Sequence, residues 1–141
     1  MITISEAKFI DIPKIVSEEG LGSLSVIEKD LIPFAIKRVY YLYDVPSNAT
    51  RGGHAHKQLQ QFLVAVSGSF DVVLDDGLSR ATFHLNRPYR GLYIPNGLWR
   101  ELENFSSGAV CVSMVSEIYE EEDYLRAYQD FKLFKSSHPN L

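Results

Sequence analysis

The sequence predicts an all-β domain, a sandwich or barrel of short strands, finished by one C-terminal α-helix. Three observations lead there. Short runs of β-branched and aromatic residues alternate with turn signals at the roughly 8–12-residue spacing of such folds. Helical periodicity enters only after residue 120. The 141 residues, 45% hydrophobic and 23% charged, suffice for one packed core, since a chain of about 150 residues buries roughly 70% of its unfolded surface. No repeat, low-complexity tract or Pro/Gly/Ser linker divides the chain, so a single domain over 1–141 is expected.

Residues 1–22 read as an N-terminal strand and loop. Ile36 to Tyr43 is β-branched and aromatic, and Gln61 to Val66 is an apolar run closed by Ser67-Gly68-Ser69. Phe70 to Leu74 then meets Asp75-Asp76-Gly77, whose Asp-Gly pair suits the positive φ angles of a tight hairpin. Further strands are expected at Ser79–His84, Gly91–Ile94, Leu98–Asn104 and Ala109–Ser116. Near the end, Glu120-Glu121-Glu122-Asp123 favours a helix N-terminus through the macrodipole. Tyr124, Leu125, Tyr128 and Phe131 follow at helical spacing, which predicts an amphipathic helix over 121–134.

Charge narrows the function. The formal net charge of −4 argues against a nucleic-acid binder, whose affinity rests on Lys and Arg. Yet residues 37–100 carry a net +4 between acidic flanks of −3 and −5. A basic middle in an acidic protein suits a small anionic ligand better than a polymer. Cys111 is the only cysteine, which excludes an intramolecular disulfide, and its apolar neighbours mark it as a core residue. The N-terminus has no signal-peptide pattern and no apolar run approaches ~18 residues, so no membrane association and a cytoplasmic location are expected.

The most informative segment is Arg51-Gly52-Gly53-His54-Ala55-His56. On a strand, His54 and His56 project to one face. A His-x-His strand with a carboxylate a few residues later is a common way to build a metal site in a β-barrel. Here the later carboxylate is absent. Without a metal, such a pair is either structural or available for proton transfer near neutral pH.

His54-Ala55-His56, Gln61, Gly68, and the run Pro95 to Asn104 resemble the two motifs of the cupin superfamily. The resemblance implies a double-stranded β-helix, or jelly-roll barrel, with the C-terminal helix packed on it. Two of the four metal positions are changed, to Gln61 and Arg100. A guanidinium has no lone pair for a metal and repels one, so neither metal nor other cofactor is expected.

The chain resembles a narrower family over about residues 23–134. The runs Pro33 to Tyr41, Arg51 to Lys57, Leu74 to Gly77, Gly91-Leu92-Tyr93, Asn104 to Ser107, and Tyr119 with Asp123-Tyr124 are similar to those of nucleotide-sugar 3,4-ketoisomerases. That resemblance implies a metal-independent homodimer that moves the carbonyl of dTDP-4-keto-6-deoxyglucose from C4 to C3. The pathways concerned lead to 3-amino-3,6-dideoxyhexoses of bacterial surface glycans such as O-antigens and S-layers. It implies His54 as base, His56 as its proton-shuttling partner and Tyr40 as donor to the developing enolate oxygen. Arg51, with Arg38 and Arg100, is assigned to the pyrophosphate. Tyr93 and Trp99 are assigned to thymine or sugar, and Gln61 is counted with the substrate-binding residues. The loop Glu18 to Ser23 is expected along the second face of the enediol. A dTDP-sugar epimerase and a non-catalytic sugar-nucleotide-binding cupin are the alternatives.

Overall fold

The computed structural model describes residues 1–141. Twelve strands run in the order β1 (Lys8–Asp11), β2 (Lys14–Val16), β3 (Ser23–Ser25), β4 (Arg38–Leu42), β5 (Arg51–His56), β6 (Gln61–Ser67), β7 (Phe70–Asp75), β8 (Arg80–Leu85), β9 (Arg90–Ile94), β10 (Trp99–Glu103), β11 (Val110–Val115) and β12 (Tyr124–Leu125). One α-helix, α1 (Tyr128–Ser137), ends the chain. Two five-stranded antiparallel sheets, β1-β9-β6-β11-β4 and β12-β5-β10-β7-β8, face each other as the two sides of the cupin barrel. β2 and β3 form a separate hairpin whose side chains are exposed.

The seven strands expected between Ile36 and Ser116 all form, as β4 and β6 to β11, with ends shifted by at most two residues. At the β7–β8 turn, Gly77 takes φ +92°, and the Asp76 carboxylate accepts the amides of Leu78 (2.9 Å) and Ser79 (2.8 Å). A local side-chain bond of this kind fixes the turn that the Asp-Gly pair favours.

Alternation decides what each strand gives to the interior. Leu63, Ala65, Leu92, Ile94 and Cys111 of one sheet meet Val72, Leu74, Leu85 and Leu102 of the other, with Phe70 stacked on Phe105 at 5.3 Å. The outer face of the first sheet carries Phe62, Val64 and Met114, covered by Ile12 and Ile32 together with Ile27, Leu31 and Phe34. The outer face of the second carries Ala55 and Trp99 beneath Phe131, Leu125 and Tyr128.

Two expectations fail on this alternation. Arg100 points into the barrel, so its neighbour Trp99 points out, where it packs on Tyr128 (5.4 Å) and Phe131 (5.9 Å) and donates to Glu101. Tyr93 lies between the inward Leu92 and Ile94, so it packs outside with Phe34 and donates to Gln60 Oε1 at 2.6 Å.

The helix expected over 121–134 is also different. Glu121–Asp123 is a single 3-10 turn, Tyr124 and Leu125 pair with His56 and Ala55 at the edge of β5, and the α-helix starts only at Tyr128. Pairing at an otherwise open strand edge outweighs local helix preference, as tertiary context regularly does.

Gly91 sits where β6 and β9 pair, and a Cβ there would lie 2.2 Å from Cζ of the fully buried Phe62. Gly91→Ala is expected to destabilise the fold by about 1–3 kcal/mol, the usual cost of overpacking. Urea denaturation measures it, and a loss below about 0.5 kcal/mol would mean that Phe62 has room to move.

Candidate active site

The site begins with a fault in strand pairing. Arg100 on β10 stands opposite His54, but Leu102 stands opposite Arg51, so β5 carries one extra residue over this stretch. The bulge lies at Gly52, with φ +79°. A Cβ on Gly52 would lie 2.9 Å from Leu102 Cδ1. The extra residue reverses the strand's parity, so that Arg51 and His54, three positions apart, line the same cavity.

His54 Nε2 lies 3.1 Å from His56 Nε2, and His56 Nδ1 lies 3.1 Å from Asp123 Oδ2. The Asp123 carboxylate also accepts the amides of Gln58 (2.7 Å) and Leu59 (3.2 Å). These partners assign the protons. Asp123 can only accept, so His56 carries its proton on Nδ1 and offers a lone pair at Nε2. His54 then donates from Nε2, leaving its Nδ1 lone pair without a protein partner. Tyr124 packs against both rings, with centroids 5.1 and 4.4 Å away.

Arg100 is buried at the centre of this arrangement, 1% exposed. Its Nη1 donates to Gln61 Oε1 (2.7 Å) and its Nη2 to the Leu98 carbonyl (2.9 Å), while Nε has no partner. Gln61 in turn donates to Tyr40 Oη (2.8 Å) and Ser113 Oγ (2.7 Å). Gln61 thus positions Tyr40 and Arg100, and Tyr40, having accepted a bond, keeps its own O–H free for the cavity.

The electrostatics follow from burial and this one cation. Burial first, then Arg100 and His56, push His54 down to about 2. Burial pushes His56 down to about 4, although its bond to Asp123 pulls the other way. Burial lowers Arg100 to about 10, which leaves it cationic at neutral pH. Burial raises Tyr40, which remains a proton donor. Burial pushes Asp123 up, but the His56 bond and the two backbone amides outweigh it and hold the carboxyl below its ordinary value.

The cavity has two chambers. The inner, of about 80 Å³, is lined by Tyr40, His54, Gln61, Arg100 and several apolar side chains. The outer, of about 370 Å³, has Arg38, Arg51 and Arg126 in its wall with Tyr119 and Tyr124, and no carboxylate among its lining residues. Arg38 lies 5.4 Å from the Tyr40 ring and 5.7 Å from that of Tyr119, and its Nε and Nη2 are buried without partners. Arg126 is held by Glu121 through two bonds of 2.6 and 2.8 Å. Such a mouth suits a phosphate-bearing ligand.

The donor set does not suit a divalent metal. The two imidazoles are turned toward each other in a hydrogen bond, and a guanidinium fills the position a third ligand would need.

Of the residues expected from the sequence, Tyr40, His54, His56, Gln61, Arg38, Arg51 and Arg100 come together here. Trp99 and Tyr93 do not, and the loop Glu18 to Ser23 lines neither chamber of its own chain. Asp123, Tyr119, Tyr124 and Arg126 were missed as site residues. The acidic cluster around Asp123 reads as a helix start when taken alone, and only the pairing of β12 with β5 delivers it to His56.

Residues 5–136 match the family described as FdtA: WxcM-like, C-terminal. The chain belongs to this family. It is 44% identical over 130 residues to the TDP-4-oxo-6-deoxy-α-D-glucose-3,4-oxoisomerase of Aneurinibacillus thermoaerophilus, covering 92% of each chain. Among solved structures, it is similar to the WlaRB TDP-quinovose 3,4-ketoisomerase of Campylobacter jejuni, with 42% identity, 92% and 99% of the two chains covered and a TM-score of 0.86. It is also similar to the sugar 3,4-ketoisomerase QdtA of Thermoanaerobacterium thermosaccharolyticum in complex with TDP, with 36% identity, 96% and 98% covered and a TM-score of 0.91.

For this FdtA-like chain, the depressed values of His54 and His56 set a direction with pH. Both rings stay neutral in the folded protein well below the ordinary histidine value of about 6.5. The unfolded chain takes up those protons first, so stability falls as pH drops from about 6.5 toward about 4. Nitrogen NMR of the imidazoles is expected to show no titration of either ring between pH 8 and about 5.5. A midpoint near 6.5 for His54 would mean that burial and Arg100 do not control it.

Proposed function

We propose that the chain is a 3,4-ketoisomerase that moves the carbonyl of TDP-4-keto-6-deoxyglucose from C4 to C3. The observation that carries this reading is the Asp123–His56–His54 chain, two neutral imidazoles between a buried cation and a carboxylate, beneath an arginine-walled mouth. The relatives named above support it by acting on, or binding, TDP-linked nucleotides.

The chemistry needs a base, an oxygen-directed donor and a place for the proton. His54 Nδ1 takes the C3 proton, and the C–H pair becomes the C3–C4 double bond as charge moves to the C4 oxygen. The Tyr40 O–H donates to that oxygen. A proton left on His54 would face Arg100, so the Nε2 proton moves to His56, where Asp123 offsets the charge. His54 then returns a proton to C4, and the O3 proton replaces the one that Tyr40 gave to O4, which gives the 3-ketone without oxidant or reductant. Arg38 and Arg51 hold the pyrophosphate and orient C1 toward the mouth.

The same reading includes a homodimer. Val39 and Tyr41 on the outward face of the edge strand β4, with Tyr43 just beyond, are large and exposed, as are Leu21 and Leu24 of the N-terminal hairpin. Exposed apolar faces of this kind suit a partner copy. It also includes a cytoplasmic role in supplying 3-keto sugars for amino transfer, on the way to surface glycans such as O-antigens and S-layers.

Product NMR in D₂O tests the reaction. EDTA-treated protein is expected to give a 3-keto product with deuterium at C4, and the C4 configuration is read from the same spectrum. His54→Asn is expected to lower kcat by roughly 10²–10⁴-fold, the range for a lost general base. A product that keeps its C4 carbonyl would favour an epimerase, and binding without deuterium exchange a non-catalytic sugar-nucleotide protein. Light scattering is expected to give twice the chain mass, and Tyr41→Glu to shift it toward the monomer.

A further inference from the structure

The inner chamber differs in kind from the mouth. Leu42, Leu63, Leu102 and Cys111 line it, contributed by β4, β6, β10 and β11. Cys111 and Leu42 stand opposite each other on paired strands, and Leu63, Leu102 and Cys111 are buried. Burial pushes the Cys111 thiol up to about 12, so it acts as a small neutral wall rather than a nucleophile.

The polar groups sharing this chamber are largely committed. Both amide hydrogens of Gln61 are spent on Tyr40 and Ser113, its oxygen accepts from Arg100, and the second Arg100 nitrogen is spent on Leu98. What stays free is the Tyr40 O–H, the His54 Nδ1 lone pair, the Arg100 Nε–H and the guanidinium of Arg51, which also stands in the wall of the mouth, where the pyrophosphate takes it. The first two are required by the reacting carbons. The chamber measures only about 80 Å³, so a group that enters it against these side chains sheds most of its hydration.

Sugar geometry says which group enters. In a hexopyranose, C4 lies across the ring from C1, with C3 on one side of it and C5, which bears C6, on the other. When the outer arginines hold the pyrophosphate near C1 and C3–C4 lies against His54 and Tyr40, C6 is carried past the polar groups to the apolar wall. The methyl is the only apolar substituent on this sugar. We propose that Leu42, Leu63, Leu102 and Cys111 form a subsite for the C6 methyl, and that they make the enzyme selective for 6-deoxy sugar nucleotides over their 6-hydroxy counterparts. This inference rests on the isomerase reading for the sugar's orientation. A 6-hydroxyl in this subsite gives up its water and meets three leucines and only the weakly hydrogen-bonding thiol of Cys111, which is the basis of discrimination.

The test compares TDP-4-keto-6-deoxyglucose with TDP-4-keto-glucose as substrates. The wild-type protein is expected to favour the 6-deoxy compound by about 100-fold in kcat/KM, the size seen when an apolar pocket meets an added hydroxyl. Leu42→Thr and Cys111→Ser are expected to narrow that ratio at least fivefold. Thermal unfolding checks that each variant is folded. Equal turnover of the two compounds by wild type overturns the subsite, whereas no turnover of the 6-deoxy compound overturns the isomerase reading instead. Calorimetry with TDP-6-deoxyglucose and TDP-glucose keeps the two apart and needs neither catalysis nor a variant. The 6-deoxy ligand is expected to bind at least tenfold more tightly, and equal affinities would overturn the subsite on their own.

Discussion

A guanidinium buried without a carboxylate governs the centre of this barrel. Taking a cation out of water costs several kcal/mol even after relaxation. Arg100 is therefore surrounded by neutral acceptors, Gln61 and the Leu98 carbonyl. Gln61 is then fixed in orientation, because its oxygen must face Arg100 and its amide must face Tyr40 and Ser113. Tyr40 is left with a free O–H as a direct consequence. The same charge disfavours protonation of His54 and His56, and it occupies the place where a metal ligand would have to stand. Arg100, together with Gln61 at the other changed position, thus leaves a pocket whose chemistry suits proton transfer rather than a metal.

The two imidazoles are not equivalent in this field. His54 feels burial and Arg100 with little relief, whereas His56 has the Asp123 carboxylate on its far nitrogen. In the proposed mechanism, a proton taken up at His54 therefore moves downhill to His56. Asp123 can play this part only because the Gln58 and Leu59 amides keep it ionised although partly buried. The backbone turn after β5 and the strand β12 thus hold Asp123 in place beside His56.

Much of this was legible in the sequence wherever alternation applied. Strands β4 and β6 to β11 follow from their β-branched, aromatic and apolar runs, and His54 and His56 share a face because they are two apart. The same rule, applied to Trp99 and Arg100, would have shown that adjacent residues on a strand cannot both line one cavity. Tyr93, between Leu92 and Ile94, falls to the same argument. Arg51 is the opposite case. Simple alternation would turn it away from His54, and it reaches the cavity only through the bulge at Gly52, which depends on how β10 pairs. Asp123 and Arg126 were hidden for a different reason: a local acidic run reads as a helix cap, and nothing local announces that an edge strand will claim it.

Net charge alone would also mislead. The basic middle of the sequence does not enter the cavity as a block. Arg80 is held by Asp75 and Glu101, and Arg90 lies beside Asp11 and over the Phe9 ring. What distinguishes the mouth is the absence of carboxylates from its wall, so the charges of Arg38 and Arg51 act on whatever enters. Arg38 is the sharper case, since two of its nitrogens are already stripped of water and have no partner. A phosphate that meets them recovers hydrogen bonds whose desolvation was incurred on folding. On the proposed reading, the outer chamber draws affinity from charge left unpaired, and the inner chamber draws selectivity from its wall of Leu42, Leu63, Leu102 and Cys111. A sugar nucleotide, anionic at one end and carrying a methyl at the other, matches that division.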